Sequence, residues 1–279
     1  MGGRSAAEVV GPVALASRRI APKTWLRPRL PAWVAVALGI ACGAARAQGG
    51  PPMLTDDPDT PGDGRWEINT AYTDFQAHDA RVRSLPHVDV NFGLGDRIQL
   101  KYETGVVFSH TQSAGTQSGL DDALLGVKWR FVEQSEFGAN LSTYPQYQIV
   151  DSRSAVDRRL ATSGPNFFLP LELSKEYGRG TLVAELGYQF MHERQSFWVW
   201  GVLGAFPVKE GVELLAEYRR FVARLDGSGD GIVNVGFRAR LTEHVTAIGA
   251  IGRSVQSLPD SPTWIAYLGA RIEFGKEKH

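Results

Sequence analysis

Over most of the stretch from Trp66 to Phe274, every second residue is apolar and those between are polar, charged or glycine. A period of two belongs to strands with one apolar and one polar face, and no helix presents it. Ile98, Leu100, Tyr102, Thr104, Val106 and Phe108 share a face against Gln99, Lys101, Glu103 and Gly105. Val233, Val235, Phe237 and Ala239 likewise oppose Asn234, Gly236, Arg238 and Arg240. The last run sets Trp264, Ala266, Leu268, Ala270, Ile272 and Phe274 against Tyr267, Gly269, Arg271 and Glu273. The pattern predicts twelve strands, over 65–76, 82–93, 97–109, 120–132, 136–149, 165–176, 181–191, 196–207, 211–222, 231–241, 244–255 and 263–275. Those over 82–93, 136–149 and 244–255 alternate least cleanly.

Soluble β-sandwiches also alternate, so three further features decide the class. Connections near 94–96, 133–135, 177–180, 208–210 and 242–243 are short, whereas those near 110–119, 150–164, 223–230 and 256–262 are longer. Short connections near 77–81 and 192–195 are the exceptions. Outer-membrane barrels sort turns and loops in this way, and sandwiches have no reason to. Aromatic residues gather at strand ends: Trp66, Trp129, Phe131, Phe206 and Phe274 on the short-turn side, and Tyr72, Phe75, Phe108, Tyr147, Phe190, Trp198, Tyr218 and Trp264 towards the loops. Two such levels predict two interfacial girdles. Finally, the polar face carries Glu67, Asp89, Lys101, Glu103, Asp122, Lys128, Arg130, Glu172, Glu185, Glu217, Arg219, Arg238, Arg240, Arg271 and Glu273. A dry core could not hold so many charges, but a wet or salt-bridged lumen can. The chain therefore reads as all-β: a transmembrane antiparallel up-and-down β-barrel of about twelve strands over residues 65–279.

What precedes the barrel supports that reading. Residues 31–47 form a short apolar run ending in Ala45-Arg46-Ala47, with basic residues upstream, so 1–47 read as a secretory signal peptide. The formal net charge of zero hides an asymmetry. The leader holds seven basic residues and one acidic residue of the thirty of each sign, leaving 23 basic and 29 acidic afterwards, a net −6. No nucleic-acid partner is expected of such a chain. Cys42 is the only cysteine and lies in the leader, so the mature chain has no disulfide and no thiol nucleophile. No run after residue 47 approaches the roughly 20 apolar residues that a membrane helix needs.

Residues 48–64, rich in Pro, Gly and Asp, read as a periplasmic segment unable to form a helix or central strand. Asp56, Asp57, Asp59 and Asp63 lack the spacing of a calcium loop. A solvated acidic turn is the favoured reading, with a tail folding back to plug the lumen as the second. The motif Gly50-Pro51-Pro52-Met53-Leu54-Thr55-Asp56-Asp57-Pro58, followed by Gly64-Arg65-Trp66-Glu67, resembles one group of proteobacterial outer-membrane proteins. That group is labelled as components of a meta-pathway of phenol degradation, or simply as transporters. The resemblance covers the mature chain in outline, with distinctive motifs at its two ends. It implies an outer-membrane barrel and, through the label alone, uptake of aromatic compounds. It brings no catalytic or ligand residues.

The closing strand 267–274 is similar to the C-terminal signal read by the barrel-insertion machinery, although Gly275 to His279 follow the final aromatic. Expected partners are therefore that machinery, outer-membrane lipid and a small-molecule permeant, with both chain ends periplasmic. No cofactor or metal site is expected, since the six histidines show no ligand spacing. The leading function is passive passage of small molecules. Its selectivity candidates are Glu67, Asp89, Lys101, Glu103, Lys128, Arg130, Glu185, Glu217, Arg219, Arg238, Arg240, Arg271 and Glu273. Arginines on late strands and acids on early ones would either set up a transverse field or lock into a salt-bridge ladder, and Arg271 could face Glu67 across the seam. The alternatives are a rim-sited lipid hydrolase using His192 or His110 with Ser196 or Ser109, and a closed structural or adhesion barrel.

Overall fold

The computed structural model describes residues 50–112, 115–149, 165–192, 195–225, 227–256 and 262–275. The leader and the predicted loop over 150–164 lie outside them. Fourteen strand segments form one antiparallel sheet: β1 (Arg65–Gln76), β2 (Ala80–Leu94), β3 (Ile98–Thr111), β4 (Gly115–Leu120), β5 (Ala123–Val132), β6 (Asn140–Thr143), β7 (Gln146–Ile149), β8 (Asn166–Tyr177), β9 (Gly180–Phe190), β10 (Phe197–Lys209), β11 (Val212–Ala223), β12 (Gly229–Arg240), β13 (Val245–Ser254) and β14 (Trp264–Gly275). The sheet closes on itself. β1 pairs with β14 along its full length, from Arg65 opposite Gly275 to Gln76 opposite Trp264.

Two staves of the barrel are each broken in the middle, so the fourteen segments make twelve staves. β4 and β5 both pair with β3, and Asp121 and Asp122 interrupt them. β6 and β7 are interrupted at Tyr144-Pro145, and both lie between β5 and β8. Pro145 has no N–H for a ladder hydrogen bond, which accounts for the unclean alternation over 136–149. β4 also corrects the expected loop over 110–119: Thr111 pairs with Gly115, so most of that stretch is a continued hairpin. At the opposite end, the connection after β5 contains one helical turn, α1 (Gln134–Phe137). A capping box between Glu133 and Glu136 starts it, and Gly138, at φ 73°, ends it. Arg97 holds it to the β2–β3 turn through Glu133 at 3.1 Å and Glu136 at 3.0 Å.

The third irregularity lies in β2. Between Ser84 and His87 the strand gains one residue against β1 and β3. An inserted residue reverses the phase of everything beyond it. Arg81 and Arg83 therefore face outward while Asp89 and Asn91, of the same odd parity, face the lumen. Pro86 sits within this bulge, where its missing N–H costs no ladder bond.

Outward residues form an apolar wall, with Leu182, Leu186, Val235, Ile251 and Leu268 all more than half exposed. Aromatics mark both ends of that wall. Trp66 packs on Phe92 (4.7 Å between centroids) and Phe274 (6.4 Å) at the turn end. Tyr188 packs on Phe190 (4.7 Å) and Trp198 (4.9 Å) at the loop end. Phe75 departs from the expected girdle, because it is one residue out of phase with Tyr72 and lines the interior. An arginine at mid-wall, Val235→Arg, is expected to lower the stability of the barrel in lipid by about 2–4 kcal/mol. Urea titration of the variant refolded in vesicles measures this, and an unchanged midpoint would contradict a lipid-facing β12.

Candidate functional site: a segment seated in the lumen

The chain preceding β1 turns into the barrel and crosses its interior. Residues 50–64 are thus no solvated acidic turn: Thr55 is 0 % exposed and Asp57 2 %. A loop buried in this way needs partners for its backbone groups, and the inward side chains of the wall supply them. Glu217 on β11 accepts the N–H groups of Leu54 (2.9 Å) and Thr55 (2.8 Å), one on each carboxylate oxygen. Glu185 on β9 accepts that of Asp56 at 3.2 Å. From the cationic side, Arg219 donates to the carbonyl of Leu54 at 2.7 Å, and Arg271 to that of Pro51 at 3.2 Å. Arg238 reaches the carbonyls of Gly50 and Pro51, each at 3.4 Å.

Lys128 on β5 is the hub. Its ammonium, 2 % exposed, donates to Asp56 at 2.9 Å and to the carbonyls of Asp57 and Asp59, with Glu172 at 3.8 Å. It also lies 4.6 Å from the centre of the buried Tyr144 ring. Arg130 meets Asp59 at 3.3 Å, and Asp63 accepts the N–H of Gly95 at 3.0 Å. The aspartates that suggested a calcium loop are thus engaged by the wall, and among the described residues no group of acids and histidines could hold a metal. Burial raises the Asp56 carboxyl, but Lys128 and then Lys101 outweigh it and leave Asp56 below the ordinary aspartate value. Burial, with the Asp59 carboxylate close by, pushes Asp57 up to about 8.

Shape matches charge. Met53 packs into an inward apolar patch of Val183, Leu203, Ala205 and Leu215. A Cβ at Gly201 would overlap the Thr55 hydroxyl, and one at Gly93 would overlap the Gly62 carbonyl. These two wall glycines are notches for the segment, which their lack of a side chain makes possible.

The remaining expected site residues point inward and mostly pair with near neighbours. Lys101 bridges Asp89 (3.2 Å) and Glu103 (2.7 Å); Arg219 meets Glu185 at 2.7 Å; Arg238 meets Glu213 at 3.0 Å. Arg271 reaches Glu67 at 3.4 Å across the β1–β14 seam, as the strand order led one to expect. Arg240 and Glu273 lie at the turn-end rim, with Arg240 exposed. Sequence reasoning missed Met53, Thr55, Gly201, Glu213 and Tyr144. Met53 and Thr55 lie in the motif that carries the family resemblance but without a role, the other three carry no motif, and the roles of all five exist only once the segment is seated.

On the loop side of the segment lies a cavity of about 460 Å³. Phe75, Phe168, Phe197 and Phe221 line part of it, and Lys101, Glu103, Glu185 and Arg219 line another part. The hydrolase candidates do not converge. Ser109 is buried on the inward side of β3, whereas His110 faces out and contacts Thr116 at 3.0 Å. The Ser196 hydroxyl accepts the N–H of Met191 at 3.2 Å, and the N–H of His192 goes to Asn166 at 3.3 Å.

This architecture is that of the outer-membrane β-barrels, and solved structures of that class superpose on it. An outer membrane channel from Pseudomonas putida F1 matches with a TM-score of 0.61 and 14% identity, covering 80% of this chain and all of that one. The NanC porin matches with a TM-score of 0.52 and 8% identity over 76% of this chain and all of the porin. The KdgM porin, in a structure with disordered oligogalacturonate, matches with 0.50 and 8% over 74% and 99%. No family model matches the chain, and no curated protein sequence does.

A Cβ built on Gly201 would lie 3.3 Å from that of Thr55, near the roughly 3.5–4.5 Å span of a disulfide. In a chain produced from Gln48 onward, which has no other thiol, Thr55→Cys with Gly201→Cys is expected to crosslink on refolding. Mass spectrometry reads the loss of two hydrogens, and free thiols in the folded barrel would place the segment elsewhere.

Proposed function

We propose that the protein is an outer-membrane channel for small molecules, held closed by its own residues 50–64, with both ends of the barrel chain on the periplasmic side. The observation carrying this reading is the contrast between the two faces of one closed sheet. The outer wall is apolar, while the interior is lined by hydrogen-bonding and ionic groups that a passing solute could use. Placement of the short turns at the same end as Arg65 and Gly275, where the barrel chain begins and closes, supports the orientation. The closing residues Tyr267–Phe274 would be the segment read by the insertion machinery.

The permeant class follows from the cavity. Its aromatic side suits an apolar ring, and its Lys101, Glu103, Glu185 and Arg219 side suits polar substituents. Small aromatic compounds with polar groups fit both, and the resemblance of the chain's ends to the phenol-pathway group points the same way. Selectivity in this reading rests on those four residues. Glu67, Asp89, Lys128, Arg130, Glu217, Arg238 and Arg271 serve chiefly to seat the segment and brace the wall. The seated segment also favours a second reading, a permanently closed structural barrel.

Conductance in planar bilayers separates the two. Low conductance is expected from the intact protein. Removal of residues 50–62, or Glu217→Ala with Lys128→Ala, should raise it severalfold. In a chain combining Glu217→Ala and Lys128→Ala with the Thr55→Cys and Gly201→Cys pair, the crosslink should abolish that rise until a reductant is added. A folded barrel that stays silent without the segment would establish the closed reading.

Seating should also depend on pH. Asp57 is protonated more readily when seated than when free, so ionising it opposes seating. That cost grows from the free value of 3.8 to about 8 and is constant above. Asp56 shifts the other way, so its contribution is complete above 3.8. Between about pH 5 and about pH 8 only the Asp57 cost changes among these two. Open probability should therefore rise with pH over that window, and Asp57→Asn should flatten the rise.

A further inference from the structure

Charged side chains are scarce on the outer wall. On the described strands, those facing outward are Asp74, Arg81, Arg83, Lys175, Lys209, Arg220 and Arg253. All but Lys175 and Lys209, which lie at the turn end, sit towards the loop end, and these fall in one sector of adjacent strands, β11 to β14 with β1 and β2. Their levels connect through the ladder: Arg81 is opposite Gln76, and Gln76 is opposite Trp264. Gly252 is opposite Ile265, which sets Arg253 beside Trp264. Two strands further on, Arg220 is opposite Gly231, close to Val233, the partner of Arg253.

We infer that this sector binds the phosphate groups of membrane-lipid headgroups in the leaflet at the loop end. The inference rests on the membrane reading proposed above. Guanidinium groups form paired hydrogen bonds with phosphate oxygens, whereas hydrocarbon offers a row of them no partner. Among the described residues, the one ion pair made by this row is that of Arg81 with Asp74. Asp74, 1 % exposed, is its one acidic member and is held by Arg81 (Nε at 2.9 Å) and the Tyr72 hydroxyl (2.7 Å). The Nε of Arg83 is buried without a hydrogen-bond partner among the described residues. Arg253 is exposed and, among the described residues, donates only a long bond to the Ser254 carbonyl, 3.4 Å. The β2 bulge gives a second, independent line of support. Without the extra residue between Ser84 and His87, Arg81 and Arg83 would share a face with Asp89 and Asn91. The bulge is what sends the basic pair to the lipid side. Trp264, Tyr72 and Tyr218 lie on the same outer face, where amphipathic rings favour the headgroup level.

The mature barrel, refolded in detergent and verified by heat-shifted gel mobility, would be titrated by native mass spectrometry. The probes are diphosphorylated lipid A, the same lipid with its phosphates removed, and inorganic phosphate alone. Phosphorylated lipid should bind clearly more tightly than its dephosphorylated form. Arg83→Gln, Arg220→Gln and Arg253→Gln together should weaken it about a hundredfold, and Arg253→Gln alone about fivefold. Lys175→Gln at the other end should change nothing. Equal binding of both lipids, or of the wild type and the triple variant, would overturn the inference. Inorganic phosphate binding as tightly as the lipid would overturn it in favour of a free-anion site. If the triple variant does not fold, Arg253→Gln decides. A wild-type barrel that folds in detergent yet inserts into no vesicle would count against the membrane reading instead, so the two failures are distinguishable.

Discussion

Every backbone N–H and C=O in a membrane-spanning sheet needs a partner within the sheet, because hydrocarbon offers none. An open edge would leave a row of them unpaired, and the full-length ladder between β1 and β14 removes that edge. The other features follow from closure. A closed sheet has an inside and an outside, so period-two alternation becomes a sorting of apolar side chains to the wall and polar ones to the lumen. Where alternation fails, the chain breaks or bulges, as at Asp121-Asp122, Tyr144-Pro145 and Ser84–His87. The last of these places Arg81 and Arg83 on one face and Asp89 on the other.

Closure also creates the electrostatic problem that the N-terminal segment answers. A narrow lumen lined by acids and bases can be filled with water or with protein. Here a peptide fills much of it, and the wall charges are its hydrogen-bond partners. Glu217 and Glu185 take backbone N–H groups, while Arg219, Arg238, Arg271 and Lys128 take carbonyls. Replacing such partners one at a time leaves a buried polar group unsatisfied, which costs more than the bond itself contributes. The same groups pair along the wall, so the lumen resembles a salt-bridge network threaded by a strap more than two opposed charged walls.

Sequence reasoning recovered the strands of this barrel well because the signal is local. Leu186 and Glu185 differ by one position and end on opposite faces whatever the rest of the chain does. The inward direction of Lys128, Glu217 and Arg271 was legible for the same reason. The seating of residues 50–64 was legible only as the second of two readings, and its partners not at all. Asp56 and Asp57 look alike in the sequence, yet one meets an ammonium and the other lies buried among like charges. Gly201 and Gly93 look like any strand glycines until Thr55 and Gly62 fill the space beside them. Phe75 was misplaced because the aromatic count was read without its phase.

The sequence by itself determined the class of fold, the approximate strand count and which side chains face inward, since all three depend on periodicity over neighbouring residues. The tertiary structure alone decided how the lumen is filled, which ions pair with which, and where the outward arginines assemble. Those outcomes bring together residues far apart in the chain, such as Leu54 with Glu217, or Arg81 and Arg253 in one sector of the wall. Such neighbourhoods come into being only when the sheet closes and sets its strands in register, and no local pattern encodes them.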